Sequence, residues 1–101
     1  MVVAMAGFDN LEEMRAVIDE FIASTGCYLF SLLTPGIGSL TMRIAEDIGA
    51  PAIHLQEKDP EKLLLLIPRN ADFLIAKKGN QYVNRLIMNF RAQGKHGFVV
   101  E

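Results

Sequence analysis

"LLTPGIGSLTMRIAEDIG", residues 32 to 49, passes from an apolar segment through a glycine-rich turn into a helical pattern. Ser39 is a good N-cap for this helix, and Gly49 stands where a left-handed residue ends one. A buried strand, a tight turn and an amphipathic helix form the repeating unit of α/β proteins. The stretch therefore predicts an α/β fold and raises a question: does the turn hold a phosphate, or does it only join strand and helix?

The same alternation of apolar strand and amphipathic helix extends along the chain. A short apolar start, residues 2–5, is assigned to no element. The predicted strands are residues 27–33, 51–56, 72–76 and 98–100. Of the predicted helices, one ends at Gly26, one ends at Gly49, and one spans residues 81–93. We expect one small three-layer α/β domain over residues 1–101, Rossmann-like or flavodoxin-like, with a mainly parallel sheet and right-handed crossovers.

One segment, "EKDPEKLLLLIP" at residues 57–68, allows two interpretations. Asp59 as N-cap with Pro60 at the first helical position favours a helix that ends before Pro68. The alternative is a strand over residues 62–67, with Asp59 and Pro60 in a hairpin turn.

Composition limits the kinds of protein to consider. Half of the 101 residues are hydrophobic, and the longest uncharged run, residues 26–42, contains the turn and cannot form one membrane helix. We therefore expect no membrane insertion and a cytoplasmic location.

The single cysteine, Cys27, excludes an internal disulfide. Residues 1–50 carry two basic and seven acidic side chains (−5) and residues 51–101 eight and five (+3), but the basic residues are scattered, so no nucleic-acid partner is expected.

The glycine-rich turn is the best candidate for a binding site. Ligands of parallel sheets lie beyond the carboxyl ends of the strands. Gly36 and Gly38 would let the backbone approach a phosphate, and the helix that starts at Ser39 would direct N–H groups at it. Glu57 follows Gly36 by 21 residues, at the end of the next strand, where an acidic residue can accept from a ribose hydroxyl. Thr41 stands where the dinucleotide fingerprint has its third glycine.

Two longer stretches carry a family resemblance. "GIGSLTMRIAEDIGAPAIHLQEKDPEKL" and "NADFLIAKKGNQYVNRLIMNF" resemble the nucleotide-binding domain of potassium-transport regulators, the TrkA-N or RCK type, over about residues 28–101. The resemblance implies a Rossmann fold that binds NAD(H) or an adenine nucleotide and dimerises. By position, Gly36 and Gly38 would meet the pyrophosphate and Glu57 the ribose. The third glycine and one strand unit of that family are missing here.

Three hypotheses about function remain open. The first is a non-catalytic nucleotide- or anion-binding regulatory module that uses Gly36, Gly38, Ser39 and Glu57. The second is a ligand-free interaction module, a homodimer or a subunit of a larger assembly, that buries apolar residues such as 63–67. The third is a small transferase-like enzyme, although no set of residues specifies a reaction and no histidine has a metal partner at a usable spacing.

Overall fold

Strands and helices alternate throughout the computed structural model, which describes residues 1–101. The elements in chain order are β1 (Val2–Ala6), α1 (Leu11–Thr25), β2 (Ser31–Thr34), α2 (Leu40–Ile48), β3 (Ala52–His54), α3 (Pro60–Asn70), β4 (Phe73–Lys77), α4 (Gln81–Ala92) and β5 (His96–Val100). The predicted α/β class is confirmed. No helix is both long and apolar enough to cross a bilayer.

The five strands form one parallel sheet in the order β3-β2-β1-β4-β5. From β1 the chain moves outward to β2 and β3, then crosses to the other side of β1 and adds β4 and β5. The direction of winding therefore reverses between β1 and β4. This is the order of the first five strands of a Rossmann sheet, and such a reversal is where open parallel sheets bind ligands.

The centre of the sheet is β1, to which the sequence assigned no element. Val3, Ala4 and Met5 are buried because helices cover both faces of this strand. Their side chains alternate between the two cores, with Val3 and Met5 on one side and Ala4 on the other. The apolar start of the chain is thus the strand around which the domain is built.

Each face of the sheet is covered by two helices. On one face, α1 and α2 contribute Ile18, Phe21 and Ile44 to the first core. On the other, α3 and α4 contribute Leu64 and Phe90 to the second. The predicted three-layer arrangement is confirmed.

The second strand is shorter than predicted. It begins at Ser31 rather than at residue 27, and Tyr28 and Leu29 are 72% and 80% exposed. Pairing with β1 starts at Val2 opposite Ser31, and residues 27–30 belong to no strand. The apolar run therefore includes a connection as well as a strand.

The ambiguous segment is a helix, but its predicted end was wrong. Asp59 caps α3 and Pro60 opens it, yet the helix continues through Pro68 to Asn70. Pro68 has no N–H to donate to the Leu64 carbonyl, which a helix residue at that position normally does. The Asn89 side-chain amide donates to that carbonyl instead, with Nδ2 2.8 Å from the oxygen. Lys95 likewise donates through Nζ to the carbonyls of Pro68 and Ala71.

Candidate functional site

All strands run the same way, so their carboxyl ends meet at one edge of the sheet, together with the first turns of the helices. Local side chains cap these helices. Asn10, Ser39 and Asn80 each accept a hydrogen bond from the backbone N–H three residues on, at 2.8, 3.1 and 2.8 Å. The predicted cap at Ser39 is confirmed. Its hydroxyl oxygen is already used within the chain.

A polar cavity of about 640 Å³ lies at this edge, beyond β2 and β3. Four of its eight lining residues have polar side chains, His54, Gln56, Glu57 and Lys58. The lining residues are Pro35, Gly36, Ile37, His54, Leu55, Gln56, Glu57 and Lys58. The structure therefore brings two of the predicted site residues, Gly36 and Glu57, into one cavity. Gly38 and Ser39 are outside its lining.

An apolar cavity of about 580 Å³ adjoins it, beyond β1 and between α3 and α4. Seven of its ten lining residues are hydrophobic. They are Met5, Ala6, Gly7, Pro35, Leu63, Ile67, Asn80, Tyr82, Val83 and Leu86. Pro35 belongs to both linings, so the polar and apolar cavities meet at this residue.

The two glycines of the turn differ in conformation. Gly38 has a φ of +83°, which favours glycine, whereas Gly36 does not have a positive φ. A Cβ added at either position would have no neighbouring atom within 4 Å. The backbone of this turn is thus open on the side where a side chain would stand.

Glu57 is held in place by its own loop. One carboxylate oxygen, Oε1, accepts from the backbone N–H groups of Lys58 and Asp59, both at 3.0 Å. The bond from Asp59 is the main cause that lowers the pKa of Glu57 below its usual value, and nearby Lys62 lowers it further. The second oxygen, Oε2, accepts no hydrogen bond within the chain. A carboxylate with one fixed and one free oxygen thus lines the polar cavity.

His54 and Thr34 form a polar pair at the same edge that the sequence did not identify as part of the site. Thr34 is fully buried at the end of β2, opposite His54 in the parallel register. Its Oγ1 lies 2.9 Å from His54 Nδ1 and 3.3 Å from the carbonyl oxygen of Ile53. The sequence indicates that both residues lie at the ends of strands. Their contact with each other depends on the pairing of β2 with β3, which the sequence does not show.

Lys77, the last residue of β4, and Lys78 after it each pair with a carboxylate within the chain. Lys77 Nζ donates to Glu13 Oε2 at 2.7 Å, and this bond is the main cause that raises the pKa of Lys77. Lys78 Nζ lies 3.4 Å from Glu101 Oε1. The other oxygen of Glu13, Oε1, is buried and unpartnered. Both lysines therefore serve intramolecular ion pairs in this structure.

The dinucleotide fingerprint does not fit the turn that should carry it. In a Rossmann unit the glycines follow the first strand. Here β1 is followed by a single glycine, Gly7, and the glycine-rich turn follows β2 instead. A Cβ at Gly7 would lie 2.3 Å from the Lys77 carbonyl oxygen, so protein backbone already occupies that approach. Thr41, at the place of the third glycine, is a buried side chain.

A further cavity, of about 430 Å³, lies at the opposite edge, near the amino ends of β2 and β3. Arg15 on its wall contacts Asp19 and Asp47 at 3.4 and 3.0 Å, so its charge is balanced locally.

No cluster of three or more His, Cys, Asp or Glu side chains is arranged to hold a metal ion. Among known proteins, no family model and no curated sequence matches this chain.

Proposed function

We propose that the protein is a non-catalytic nucleotide-binding regulatory module whose site is the carboxyl edge of the sheet. The observation that carries this proposal is the junction of a polar and an apolar cavity at Pro35. A nucleotide has a similar division, a flat base whose faces stack on apolar and aromatic side chains, joined to a polar sugar and phosphate. The apolar cavity lies beyond β1 and beside the first turn of α4, at the reversal of strand order where parallel sheets bind such ligands, and the polar cavity lies one strand away, beyond β2 and β3.

The apolar cavity suits the base. Tyr82, Val83 and Leu86 supply an aromatic ring and two aliphatic side chains. The Tyr82 hydroxyl donates to the Pro60 carbonyl at 3.0 Å, which holds the ring in place. Burial is the main cause that raises the pKa of this hydroxyl above its ordinary value.

The polar cavity suits the sugar and phosphate. Glu57 Oε2 is free to accept from a ribose hydroxyl, and Gly36 has open space for a phosphate oxygen. In the first turn of α2, Ser39 satisfies the N–H of Met42 through Oγ and that of Arg43 through its carbonyl. Helix geometry leaves the preceding N–H groups, at residues 40 and 41, free to donate to an anion at the turn, beside the lining of the polar cavity and not within it.

The ligand we propose is a mononucleotide, an adenine nucleotide being the first choice. The turn after β1 lacks the glycines that approach a pyrophosphate, which disfavours NAD as the ligand. Cavities of 580 and 640 Å³ are each within the usual range of small-molecule sites. The lone cysteine is consistent with a cytoplasmic location, which is part of the proposal.

The test is calorimetric titration with AMP, ATP, NAD⁺, NADH and inorganic phosphate. Gly36→Asp places a carboxylate in the polar cavity without a positive φ to strain the backbone, unlike Gly38→Asp. We expect saturable binding of AMP or ATP and at least about tenfold weaker binding by Gly36→Asp.

The control for the added charge is Ala23→Glu, on an exposed position of α1 near the opposite edge. It should bind like the unchanged protein. Equal affinity in Gly36→Asp would remove the site assignment, and no binding of any of these ligands would contradict the proposed function. Turnover of a bound nucleotide would favour the transferase-like hypothesis instead.

A second candidate, homodimerisation, is favoured by one exposed surface. Leu65 on α3 and Met88 on α4 are 54% and 66% exposed and line the same groove. Glu61 and Arg85 pair beside them at 2.9 Å, and two copies could exchange such partners across a twofold axis. Sedimentation should show a dimer that Leu65→Lys weakens without unfolding. A strictly monomeric protein at high concentration would exclude this candidate.

A further inference from the structure

The contact between Thr34 and His54 determines where the imidazole carries its proton. Thr34 Oγ1 has one hydrogen to donate and lone pairs to accept with. The Ile53 carbonyl oxygen, at 3.3 Å, can only accept, so the contact with it uses the hydroxyl hydrogen. The contact with His54 Nδ1, at 2.9 Å, can be a hydrogen bond at the same time only if Nδ1 is the donor. The Nδ1–H tautomer of the neutral ring is therefore the one that satisfies both contacts, with Thr34 donating to the Ile53 carbonyl and accepting from His54.

The other ring nitrogen is left as an acceptor at the ligand site. In the Nδ1–H tautomer Nε2 has a free lone pair, and no group of the chain donates to it. His54 lines the polar cavity together with Glu57, whose Oε2 is also a free acceptor. Two acceptors in one cavity match a ligand with two neighbouring hydroxyl donors.

We infer that His54 Nε2 is a ligand-binding atom that accepts a hydrogen bond from one hydroxyl of a ribose diol, with Glu57 accepting from the other. Thr34 is a positioning residue, because it touches the ring and not the ligand. This inference rests on the proposed function and adds to it the chemical class that the polar cavity selects, a nucleotide with a free 2′,3′-diol.

The fold explains why this arrangement is rigid. Thr34 is fully buried, and the backbone N–H of Leu55 donates to its carbonyl at 2.8 Å. His54 is its register partner on the adjacent strand. The ring is thus fixed by a buried hydroxyl on a neighbouring strand, although the histidine itself is exposed on β3.

The experiment compares AMP with 2′,3′-dideoxyadenosine monophosphate in the unchanged protein and in His54→Ala, Thr34→Val and Thr34→Ser. We expect the unchanged protein to prefer AMP, and His54→Ala to lose about fivefold in affinity for AMP while binding the dideoxy ligand as before. Thr34→Val should lose less affinity for AMP than His54→Ala does. Thr34→Ser, which keeps the hydroxyl, should restore the preference for AMP over the dideoxy ligand.

Long-range ¹H–¹⁵N spectra of the imidazoles, recorded at alkaline pH, give a readout that needs no ligand. The chain has two histidines, so His96→Gln assigns the signals. This variant is also the binding control, since His96 opens β5 at the opposite edge. We expect His54 in the free protein to carry its proton on Nδ1 and to lose that preference in Thr34→Val.

The possible outcomes separate this inference from the proposed function. An Nε2–H tautomer in the free protein, or equal losses for both ligands in His54→Ala, would overturn the role of His54 while nucleotide binding stands. Absence of AMP binding by the unchanged protein would overturn the proposed function and this role with it.

Discussion

Two turns with glycine follow neighbouring strands at the same edge of the sheet, and they differ in what lies beside the glycine. Gly7, after β1, has a φ of +89° and packs so closely that a Cβ would lie 2.3 Å from the Lys77 carbonyl oxygen. Gly36, after β2, does not have a positive φ, and a Cβ there would meet no atom within 4 Å. The first glycine is required by the protein's own packing. The second leaves space that the protein does not fill.

The difference separates a structural glycine from a candidate binding glycine. The structural glycine stands where a Rossmann fold has its phosphate turn, yet β4 occupies the space beside it. The turn after β2 carries the glycine pattern and borders the polar cavity. In this chain, therefore, the open turn is one strand away from the position that the strand order would suggest.

The largest effect is expected for Gly7→Ala. The added methyl group meets backbone, which cannot rotate away, and it also forces a left-handed conformation on alanine. Strain and overpacking together should lower the free energy of unfolding by about 2–5 kcal/mol. Urea denaturation followed by circular dichroism measures this change.

The matched control is Gly36→Ala, which adds the same methyl group to the open turn. Its free energy of unfolding should differ from that of the unchanged protein by less than about 1 kcal/mol, because neither a contact nor the φ opposes it. If the free energy of unfolding fell by similar amounts in Gly7→Ala and Gly36→Ala, the claim that the first turn is filled and the second open would be wrong.

A smaller effect on stability is expected for Glu57→Gln, which tests whether the Glu57 carboxylate holds the loop beside the open turn. The folded-state pKa of Glu57 is lowered, chiefly by the Asp59 N–H bond. Its contribution to stability is therefore present above the unfolded pKa of about 4.3 and is lost as the pH falls through the lower folded value. At neutral pH Glu57→Gln should have a slightly lower Tm than the unchanged protein.

This difference in Tm should shrink as the pH is lowered below the unfolded pKa. Differential scanning calorimetry at several pH values measures it. Glu20→Gln on α1 is the control, because the Glu20 side chain is exposed and accepts no hydrogen bond within the chain. A difference that grows on acidification would show that the Glu57 carboxylate does not hold this loop.

The features that the sequence predicted correctly are local. Ser39 and Asp59 cap helices through bonds that span three and two residues, and Gly49 ends α2 in the left-handed conformation. Such contacts can be inferred from side-chain chemistry and spacing alone. The same local signals supported the alternation of strands and helices and hence the fold class.

The features that the sequence missed depend on contacts between distant segments. Nothing within residues 2–5 shows that β2 and β4 will flank them. The helix passes Pro68 because Asn89, on another helix, satisfies the carbonyl that proline leaves free. Likewise, Thr34 and His54 meet through the pairing of two strands. The spacing of Gly36 and Glu57 indicated that both could belong to one site, but it did not indicate that the buried Thr34 hydroxyl lies at the same edge.

The most direct test of the central claim is a ¹H–¹⁵N correlation spectrum of the protein titrated with AMP. If the carboxyl edge is a nucleotide site, amide shifts will concentrate at Gly36, at Glu57 and at Tyr82, with no change at Ser31 and Gly49 on the opposite edge. A spectrum that stays unchanged, or shifts confined to the opposite edge, would contradict the account and leave the glycine-rich turn as a connection between strand and helix.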